Sequence, residues 1–294
     1  MLEQLEIFYG ETSESRSSVY ARLSVDGDAS GLSLTGRVTG PECLYSRTLA
    51  STIPLRDLGP GPSLLAEAVV PDPCFWSPEI PSLYEVFVEL WRDGQVIESA
   101  TRQLGIRMFG CHGRNLFFNG RRWVCRGVFR SERFTHDLSA WRDTATAMIE
   151  PHPTEELCEA SSRQGVFLVP VIGGSRDQIM DEVRRIARWP SVGLAMIDAS
   201  GLDQNQLLRS ALNVVLAQCY STGERVEPEG WATAVVGYVE EPQSFSRQFA
   251  ECRLPVLGSR RNDEAATLAD ARRECDRLQR DLAPYGDYAG YIIA

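Results

Sequence analysis

Eight polar residues stand at or just beyond the ends of apolar segments in the second half of the chain. They are Arg130, Glu150, His152, Asp198, Glu240, Glu241, Ser259 and Arg260. Two carboxyl groups that face one cleft can act as a general acid and as a nucleophile or base, which is the chemistry that cleaves glycosidic bonds. Asp198 with Glu150 or Glu240 would supply such a pair. Arginines bind carboxylate, sulfate or phosphate groups through paired hydrogen bonds, so Arg260 and Arg261 are candidate anion ligands.

The same carboxylates have structural interpretations that the sequence leaves open. Asp198 would cap a helix that starts near Gln204, or would pair with an arginine. Glu240 and Glu241 precede Pro242, so they would be solvated or would begin a helix.

The basic residues have structural alternatives too. His152 lies between two prolines and would form a turn, while Arg260 and Arg261 would pair with Asp263 and Glu264. If the protein binds a ligand without reacting with it, a wider set of side chains would make the contacts. That set is Arg130, His152, Asp198, Glu240, Ser259 and Arg260.

These residues must be positioned by a repeated strand–helix pattern that begins at Cys125. Eight short apolar segments read as strands, at 125–130, 145–150, 166–172, 192–198, 213–219, 232–239, 254–259 and 288–293. Helical periodicity falls between them at 154–163, 176–188, 243–252 and 263–282. Continuous apolar strands suit a parallel sheet that is buried on both faces. Residues 125–294 are therefore expected to form a compact (β/α)8 barrel of the TIM type, with its active site at the carboxyl ends of the strands.

Residues 1–108 have a different pattern, which predicts a β-sandwich of immunoglobulin type. Apolar residues alternate at 18–25, 32–38, 63–70 and 84–91, and a further strand is expected at 95–107. Turn signals separate these strands, at Asp26-Gly27-Asp28 and at Asp93-Gly94. Residues 109–124 are expected to link the two domains through a hairpin at Asn119-Gly120.

Composition narrows the functional classes. The net charge is −10, with 40 acidic and 30 basic residues, and every basic residue is Arg. An acidic surface repels phosphate backbones, so nucleic-acid binding is not expected. The absence of Lys excludes Schiff-base chemistry and a P-loop. We expect no cofactor and no metal.

The eight cysteines are scattered, and none forms a CxxC pair of the kind that binds zinc. Cys219, at the end of a predicted strand, is interpreted as a buried thiol. The first residues lack the features of a signal peptide, and no apolar run is long enough to span a membrane. The expectation is a cytoplasmic protein with reduced thiols and no membrane association.

Two stretches resemble glycoside hydrolase family 2, which contains β-galactosidases, β-glucuronidases and β-mannosidases. Residues 74–84 (CFWSPEIPSLY) and the following RQLGIR are similar to the end of the family's immunoglobulin-like domain, "LWSPENPxLY…GFR". Residues 116–128 (LFFNGRRWVCRGV) resemble its approach to the barrel, "FxLNGKPVxLRGV". Weaker similarity extends through 156–172, 186–198 and 253–261. The resemblance implies a sandwich and a barrel, without the family's amino-terminal jelly-roll domain.

The catalytic carboxylates that the resemblance implies are not at the matching positions. The family's acid, a Glu after strand four, falls on Ala199-Ser200, and its nucleophile at the end of strand seven falls on Ser259 or Arg260. Phe129 and Ser131 replace the Asn and His of the family's "RGVNxHE". The family's Arg at the end of strand two falls near Ile149.

The expected function is therefore that of a family 2-like protein without catalysis, a binding module whose ligand is a carbohydrate or another protein. An active glycosidase with relocated carboxylates, Asp198 with Glu150 or Glu240, is the alternative. The sequence does not predict the oligomeric state.

Overall fold

The computed structural model describes residues 2–25, 27, 29–134, 137–211, 213–262 and 264–294. The chain divides into two compact units, Met1–Arg107 with Arg188–Pro190, and Met108–Ala187 with Ser191–Ala294. The turn expected at Asp26-Gly27-Asp28 has two residues, Asp26 and Asp28, outside the described ranges. Asp263, expected as a partner of Arg260, also lies outside them.

The first unit is a curled antiparallel β-sandwich, as the alternation predicts. A 3-10 helix (Leu2–Gln4) precedes strands β1 (Glu6–Thr12), β2 (Arg16–Leu23), β3 (Leu32–Glu42), β4 (Ser51–Asp57), β5 (Leu64–Pro71), β6 (Leu83–Arg92) and β7 (Gln95–Leu104). The strand order is β1-β2-β5-β4-β3-β6-β7. Inward residues such as Val19, Ala21, Val86 and Val88 are buried and form the core.

Strand β4 was not predicted, and it joins the two layers of the sandwich. Its first residues pair with β3, from Ser51 to Leu55, whereas Arg56 and Asp57 pair with β5. Its burial pattern does not alternate cleanly, because only Leu55 among its seven residues is fully buried. A strand shared between two layers in this way carries a weak periodic signal in the sequence. Strand β1 was missed as well.

The second unit begins with a small antiparallel sheet of three strands. These are β8 (Phe109–His112), β9 (Asn115–Phe118) and β10 (Arg121–Trp123). The hairpin expected at Asn119-Gly120 joins β9 to β10, and both turn residues have positive φ, at 48° and 73°. Trp123 packs on Phe167, with ring centroids 4.8 Å apart, so its ring is part of this unit's core.

A closed parallel barrel follows, and all eight predicted strands are present. They are β11 (Cys125–Phe129), β12 (Ala147–Pro151), β13 (Leu168–Ile172), β14 (Leu194–Ile197), β15 (Val215–Tyr220), β16 (Ala234–Tyr238), β17 (Val256–Arg260) and β18 (Gly290–Ile293). The prediction of a sandwich followed by a (β/α)8-type barrel is confirmed.

Six helices cover the barrel within the described residues: α1 (Leu138–Asp143), α2 (Glu155–Gln164), α3 (Arg176–Ala187), α4 (Gln204–Ser210), α5 (Pro242–Gln248) and α6 (Leu268–Leu282). Helix α3 buries Ile179, Met180, Val183 and Ile186, the apolar stripe that its sequence predicts. Helix α6 starts with a capping box, because Thr267 and Asp270 each accept a hydrogen bond from the other's backbone N–H.

No helix forms between β15 and β16, where residues 221–233 are irregular. Trp231 in this segment is fully buried and supplies apolar surface where a helix would otherwise pack. Thr233 Oγ1 accepts a hydrogen bond from the backbone N–H of Leu216, which ties the end of the segment to β15.

Candidate functional site

The glycines of the strands establish which residues face the inside of the barrel. A Cβ added at Gly237 would collide with the rings of Phe245 on α5 and of Phe249 just after it, so this position of β16 faces the helices. Because successive side chains on a strand point to opposite faces, its neighbour Tyr238 faces the barrel interior.

Strand register carries this assignment around the barrel, because paired residues of parallel strands share a face. Tyr238 pairs with Ser259, and Ser259 pairs with Ile292 on β18. The same alternation applies to every strand. The last inward-facing positions that bear functional or aromatic groups are Phe129, Asp198, Cys219, Tyr238 and Ser259.

Arg260 faces away from this mouth, contrary to the prediction that it lines the site. Its Nη1 lies 2.6 Å from Oδ2 of Asp281 on α6, and both side chains are partly buried. The residue at the end of β17 that points inward is Ser259, which is 8% exposed. No hydrogen bond joins its hydroxyl to another residue in the described part of the chain.

Arg130 and Glu150 are also on the outward face of their strands. Arg130 Nη1 lies 3.4 Å from Glu150 Oε1, and both side chains are largely buried. The backbone N–H of Arg130 donates to Ile149 O at 2.9 Å, so the ladder continues to this residue and fixes its orientation. This geometry directs Glu150 to a cation on the outer layer rather than to Asp198.

His152 lies outside the barrel as well, beside helix α3. Its Nδ1 is 3.9 Å from Glu182 Oε1, and Glu182 forms two hydrogen bonds with Arg185, at 2.6 and 2.7 Å. Arg185 also donates to Pro153 O at 2.6 Å. These residues line an open depression of about 460 Å³ together with Gly173, Gln178 and Asp181. His152 has φ +47°, consistent with its predicted role as a turn residue.

Asp198 stands at the mouth of the barrel with an exposed side chain. Its backbone N–H donates to Ile172 O at 3.1 Å, which holds it at the end of β14. The helix cap proposed for it is supplied by another residue, because Asp203 accepts the hydrogen bond from Gln206 N at the start of α4. Burial, and then the negative charge of Asp198, raise the pKa of the Cys219 thiol to about 12.

Glu240 and Glu241 have different environments although they are adjacent. Glu241 begins α5, with Pro242 as the next residue, and its Oε2 accepts a hydrogen bond from Ser244 at 2.7 Å. Glu240 is exposed and follows Val239, whose N–H donates to Ser259 O at 2.7 Å. Glu240 lies in a bend two residues beyond the end of β16, at the carboxyl end of the barrel strands.

Glu229 is a carboxylate at the mouth that the sequence analysis missed. Its Oε1 accepts the backbone N–H of Gly201 at 2.7 Å, and its Oε2 accepts the indole N–H of Trp231 at 2.7 Å. The backbone N–H of Glu229 donates to Gln218 at 2.9 Å. Glu229 therefore ties the loop after β14, which contains Ser200, to the segment after β15, and neither of its oxygens is left free.

The mouth combines hydroxyl groups with two unpaired acids. Tyr238 and Ser259 offer hydroxyls, and neither Asp198 nor Glu240 forms an ion pair with any described residue. Such a surface can donate and accept hydrogen bonds with a hydroxylated ligand.

The described side chains and helices have three further properties. Within these ranges, no three or more His, Cys, Asp or Glu side chains converge as they would around a metal ion. No helix in the same part of the chain combines the length and the apolar character that a bilayer crossing requires. All eight cysteines are free thiols.

Comparison with known proteins finds a sequence match in the first unit. Residues 14–107 match the family described as Glycosyl hydrolases family 2. No curated protein matches the chain by sequence.

Solved structures match the whole chain in fold. A β-glucuronidase from Bacteroides uniformis is 14% identical, with a TM-score of 0.63 over 99% of this chain and 45% of that one. An FMN-binding β-glucuronidase from Faecalibacterium prausnitzii L2-6 is 10% identical, with a TM-score of 0.66 over 98% of this chain and 55% of that one. A putative β-galactosidase from Bacteroides fragilis is 14% identical, with a TM-score of 0.63 over 98% and 54%.

This chain spans about half the length of these structures. At such low identity the likeness shows the fold, whereas the sandwich is also matched in sequence. Residues 14–107 therefore resemble family 2 glycosyl hydrolases in sequence, and the chain as a whole resembles these β-glucuronidase and β-galactosidase structures in fold.

Proposed function

We propose that this protein binds a sugar at the barrel mouth and does not cleave glycosides. The observation that carries the proposal is Ser259. The resemblance assigns the nucleophile to the end of strand seven, and the inward-facing side chain there is a hydroxymethyl group, while Arg260 is turned outward to Asp281. A serine with no base beside it cannot replace a carboxylate nucleophile.

The position of the general acid supports the same proposal. The resemblance assigns it to Ala199-Ser200 in the loop after β14, and neither residue can protonate a leaving oxygen. Glu229, the carboxylate bonded to this loop, accepts hydrogen bonds at both oxygens and is not presented to a ligand. Losing both groups removes the two main chemical contributions to glycoside hydrolysis.

The hydroxyl groups at the mouth favour a carbohydrate as the ligand. Tyr238 and Ser259 are neighbours on adjacent strands, and neither hydroxyl is used by a described residue. A sugar would satisfy both and would pack on the Tyr238 ring. The similar structures are named β-glucuronidases and a β-galactosidase, which makes simple glycosides the first ligands to test.

The test is to measure hydrolysis and binding in parallel. A panel of aryl glycosides is incubated with the purified protein, with an active family 2 enzyme as the positive control. Substrates with good leaving groups need less help from a general acid but still need a nucleophile. They are therefore the glycosides that a protein lacking the acid would hydrolyse most readily. We expect binding of one or more sugars in a thermal-shift screen, and no turnover. A kcat near ~1 s⁻¹, within the ordinary range of enzymes, would contradict the proposal.

One observation favours a second candidate, a hydrolase that uses Asp198 and Glu240. Both acids are exposed and follow the ends of β14 and β16, which are two positions apart in the barrel, where neighbouring strands lie about 4.8 Å from one another. A separation of roughly 10 Å between the strands allows carboxyl groups within the ~6.5–9.5 Å range of inverting enzymes. If turnover is found, Asp198→Asn and Glu240→Gln should abolish it. Glu150→Gln, at the outward pair with Arg130, is the matched control.

A further inference from the structure

The residues between α6 and β18 form an exposed segment at the amino end of the barrel strands. Residues 283–287 are all exposed, and Tyr285 keeps 45% of its surface accessible. Ser246 Oγ on α5 donates to Tyr285 O at 3.2 Å, and Arg122 Nη2 on β10 lies 2.6 Å from Asp287 Oδ1. These contacts place the segment between α5 and the small three-stranded sheet.

Three exposed arginines flank this segment. Arg247 is in the last turn of α5, Arg280 is in the last turn of α6, and Arg121 begins β10 next to Arg122. Their side chains form no hydrogen bond or ion pair with any residue in the described ranges. Together with Tyr285, these three arginines form a surface that we name the amino-end patch.

The acids near these arginines do not neutralise them. Asp276, one turn before Arg280, is bonded to two other arginines, and Asp281 pairs with the last residue of β17. No acid lies one turn before Arg247 on α5. The exposed Glu251, in the loop before β17, is followed two residues later by an exposed arginine. The patch is therefore a local positive region on a chain whose net charge is −10.

Helix stabilisation accounts for only part of this arrangement. Cations in the last turn of a helix complement its macrodipole, which explains Arg247 and Arg280. Arg121 lies on a strand and gains nothing from this effect, and the effect does not involve the exposed ring of Tyr285. Tyrosine and arginine are the residue types that are enriched at protein interfaces and at their energetic hot spots.

We propose that the amino-end patch binds an acidic, extended segment of another protein. Carboxylates of the segment contact the three arginines, and an apolar side chain packs on Tyr285. A nucleic acid fits less well, because its regular phosphates continue past the patch onto the acidic remainder of the chain. A second copy of this chain would bring its own net charge of −10, which repels the first. This inference is independent of the proposed function.

The experiment measures binding of a short labelled peptide by fluorescence anisotropy. The peptide consists of glutamates with one central phenylalanine, and in the control peptide every glutamate is replaced by glutamine. Three exposed charge pairs are together worth about tenfold in affinity. We therefore expect the acidic peptide to bind about tenfold tighter than the neutral one at ~50 mM salt, and the ratio to shrink at ~500 mM salt.

Two triple variants with the same change in net charge test whether the patch is the site. The patch variant replaces its three arginines: Arg121→Gln, Arg247→Gln and Arg280→Gln. The control variant replaces three exposed arginines of the first unit that likewise form no ion pair with a described residue: Arg47→Gln, Arg56→Gln and Arg92→Gln. The patch variant should bind the acidic peptide about tenfold more weakly, and the control variant should lose less than about twofold. Circular dichroism checks that both are folded.

A tyrosine pair tests the apolar part of the contact. Tyr285 and Tyr45, which lies on the first unit, are equally exposed at 45%. Tyr285→Ala should weaken binding of the acidic peptide about fivefold, and the loss should persist at high salt because an apolar contact is not screened. Tyr45→Ala should leave the affinity unchanged.

Four results would overturn the proposal. The two triple variants lose affinity equally, which means that overall charge and not the patch attracts the peptide. The acidic peptide does not bind at ~50 mM salt. An oligothymidylate of the same length binds the patch more tightly than the peptide, so that the partner is a nucleic acid. Sedimentation shows self-association that the patch variant abolishes, so that the partner is a second copy of the chain.

Discussion

The guanidinium of Arg260 lies 2.6 Å from the carboxylate of Asp281, on the outer layer of the barrel. This ion pair turns the last residue of β17 toward α6 and leaves Ser259 as the inward-facing side chain. The position at which the resemblance assigns a nucleophile is therefore occupied by a serine with a small hydroxyl. The Arg260 side chain points away and does not block this position.

Reversing the charge of Arg260 should destabilise the barrel without affecting the mouth. Arg260→Glu removes the ion pair and places two carboxylates next to each other. Because the site is partly exposed, the expected loss in the free energy of unfolding is about 1 kcal/mol. Urea denaturation should show that loss in the free energy of unfolding. Arg253→Glu, at an exposed arginine before β17, is the control and should change stability little. Unchanged stability of Arg260→Glu would argue against the ion pair.

Restoring carboxylates at the two matched positions should not restore hydrolysis. Ser200→Glu with Ser259→Glu places acids after strand four and at the inward end of strand seven. The family residues that position the substrate are still replaced by Phe129, Ser131 and Ile149. Aryl glycoside assays should therefore show no enzyme-like turnover. Rescue by these two changes would mean that the substrate pocket is intact.

Glu229 should be a structural anchor of the mouth. Glu229→Gln places an amide N–H against one of the two donors, Gly201 N or Trp231 Nε1, so a hydrogen bond to a charged group is lost. The expected cost is about 1.5–3 kcal/mol in the free energy of unfolding. Glu227→Gln is the control, because its ion pair with Arg225 is on the surface and contributes little. Equal stability of the two variants would show that Glu229 is dispensable.

Buried thiols should make the fold sensitive to alkali. Burial is the main cause that raises the pKa of Cys125, Cys219 and Cys275 from 9.0 to about 12. Because of this difference in pKa, the thiols ionise at a lower pH in the unfolded state than in the folded state. Their contribution to the free energy of unfolding is therefore fully present below about pH 9, and it is lost as the pH rises toward 12.

This pH dependence can be assigned to one residue by substitution. Cys125→Ala should flatten the decline in the free energy of unfolding between pH 9 and 12, by up to ~1.4 kcal/mol per pH unit. Val183→Ala, a core truncation without a thiol, should lower stability and leave the slope unchanged. Parallel curves for wild type and Cys125→Ala would refute the assignment.

Asp198 should slow the chemistry of its neighbour Cys219. Asp198→Asn removes a negative charge that opposes thiolate formation, so the pKa of Cys219 should fall. The fall should be partial, because burial is the larger cause. Alkylation of Cys219 at alkaline pH, followed by mass spectrometry, should be faster in the variant, while buried Cys125 serves as the internal reference. An unchanged alkylation rate would show that the charge of Asp198 does not influence the Cys219 thiol.

The sequence alone determined the architecture of both units. Alternating strands at residues 18–25 and 84–91 can bury only one face, and continuous apolar strands such as β14 and β18 suit a barrel that is covered on both sides. Local turn chemistry also sufficed for the Asn119-Gly120 hairpin. Strands β1 and β4 were missed, because the burial of their residues does not alternate cleanly between the two faces.

The direction of each side chain at the mouth was decided only by the tertiary structure. A fully buried strand such as β17 has apolar residues on both faces, so its sequence does not distinguish Ser259 from Arg260 as the inward residue. Register with β16 and the ion pair to α6 decide it. The separation of Glu150 from Asp198, and the placement of Glu229 beside Gly201, likewise depend on contacts between residues far apart in the chain. Polar residues at strand ends were predictable from the sequence, but the choice of those that share a cleft required closure of the barrel.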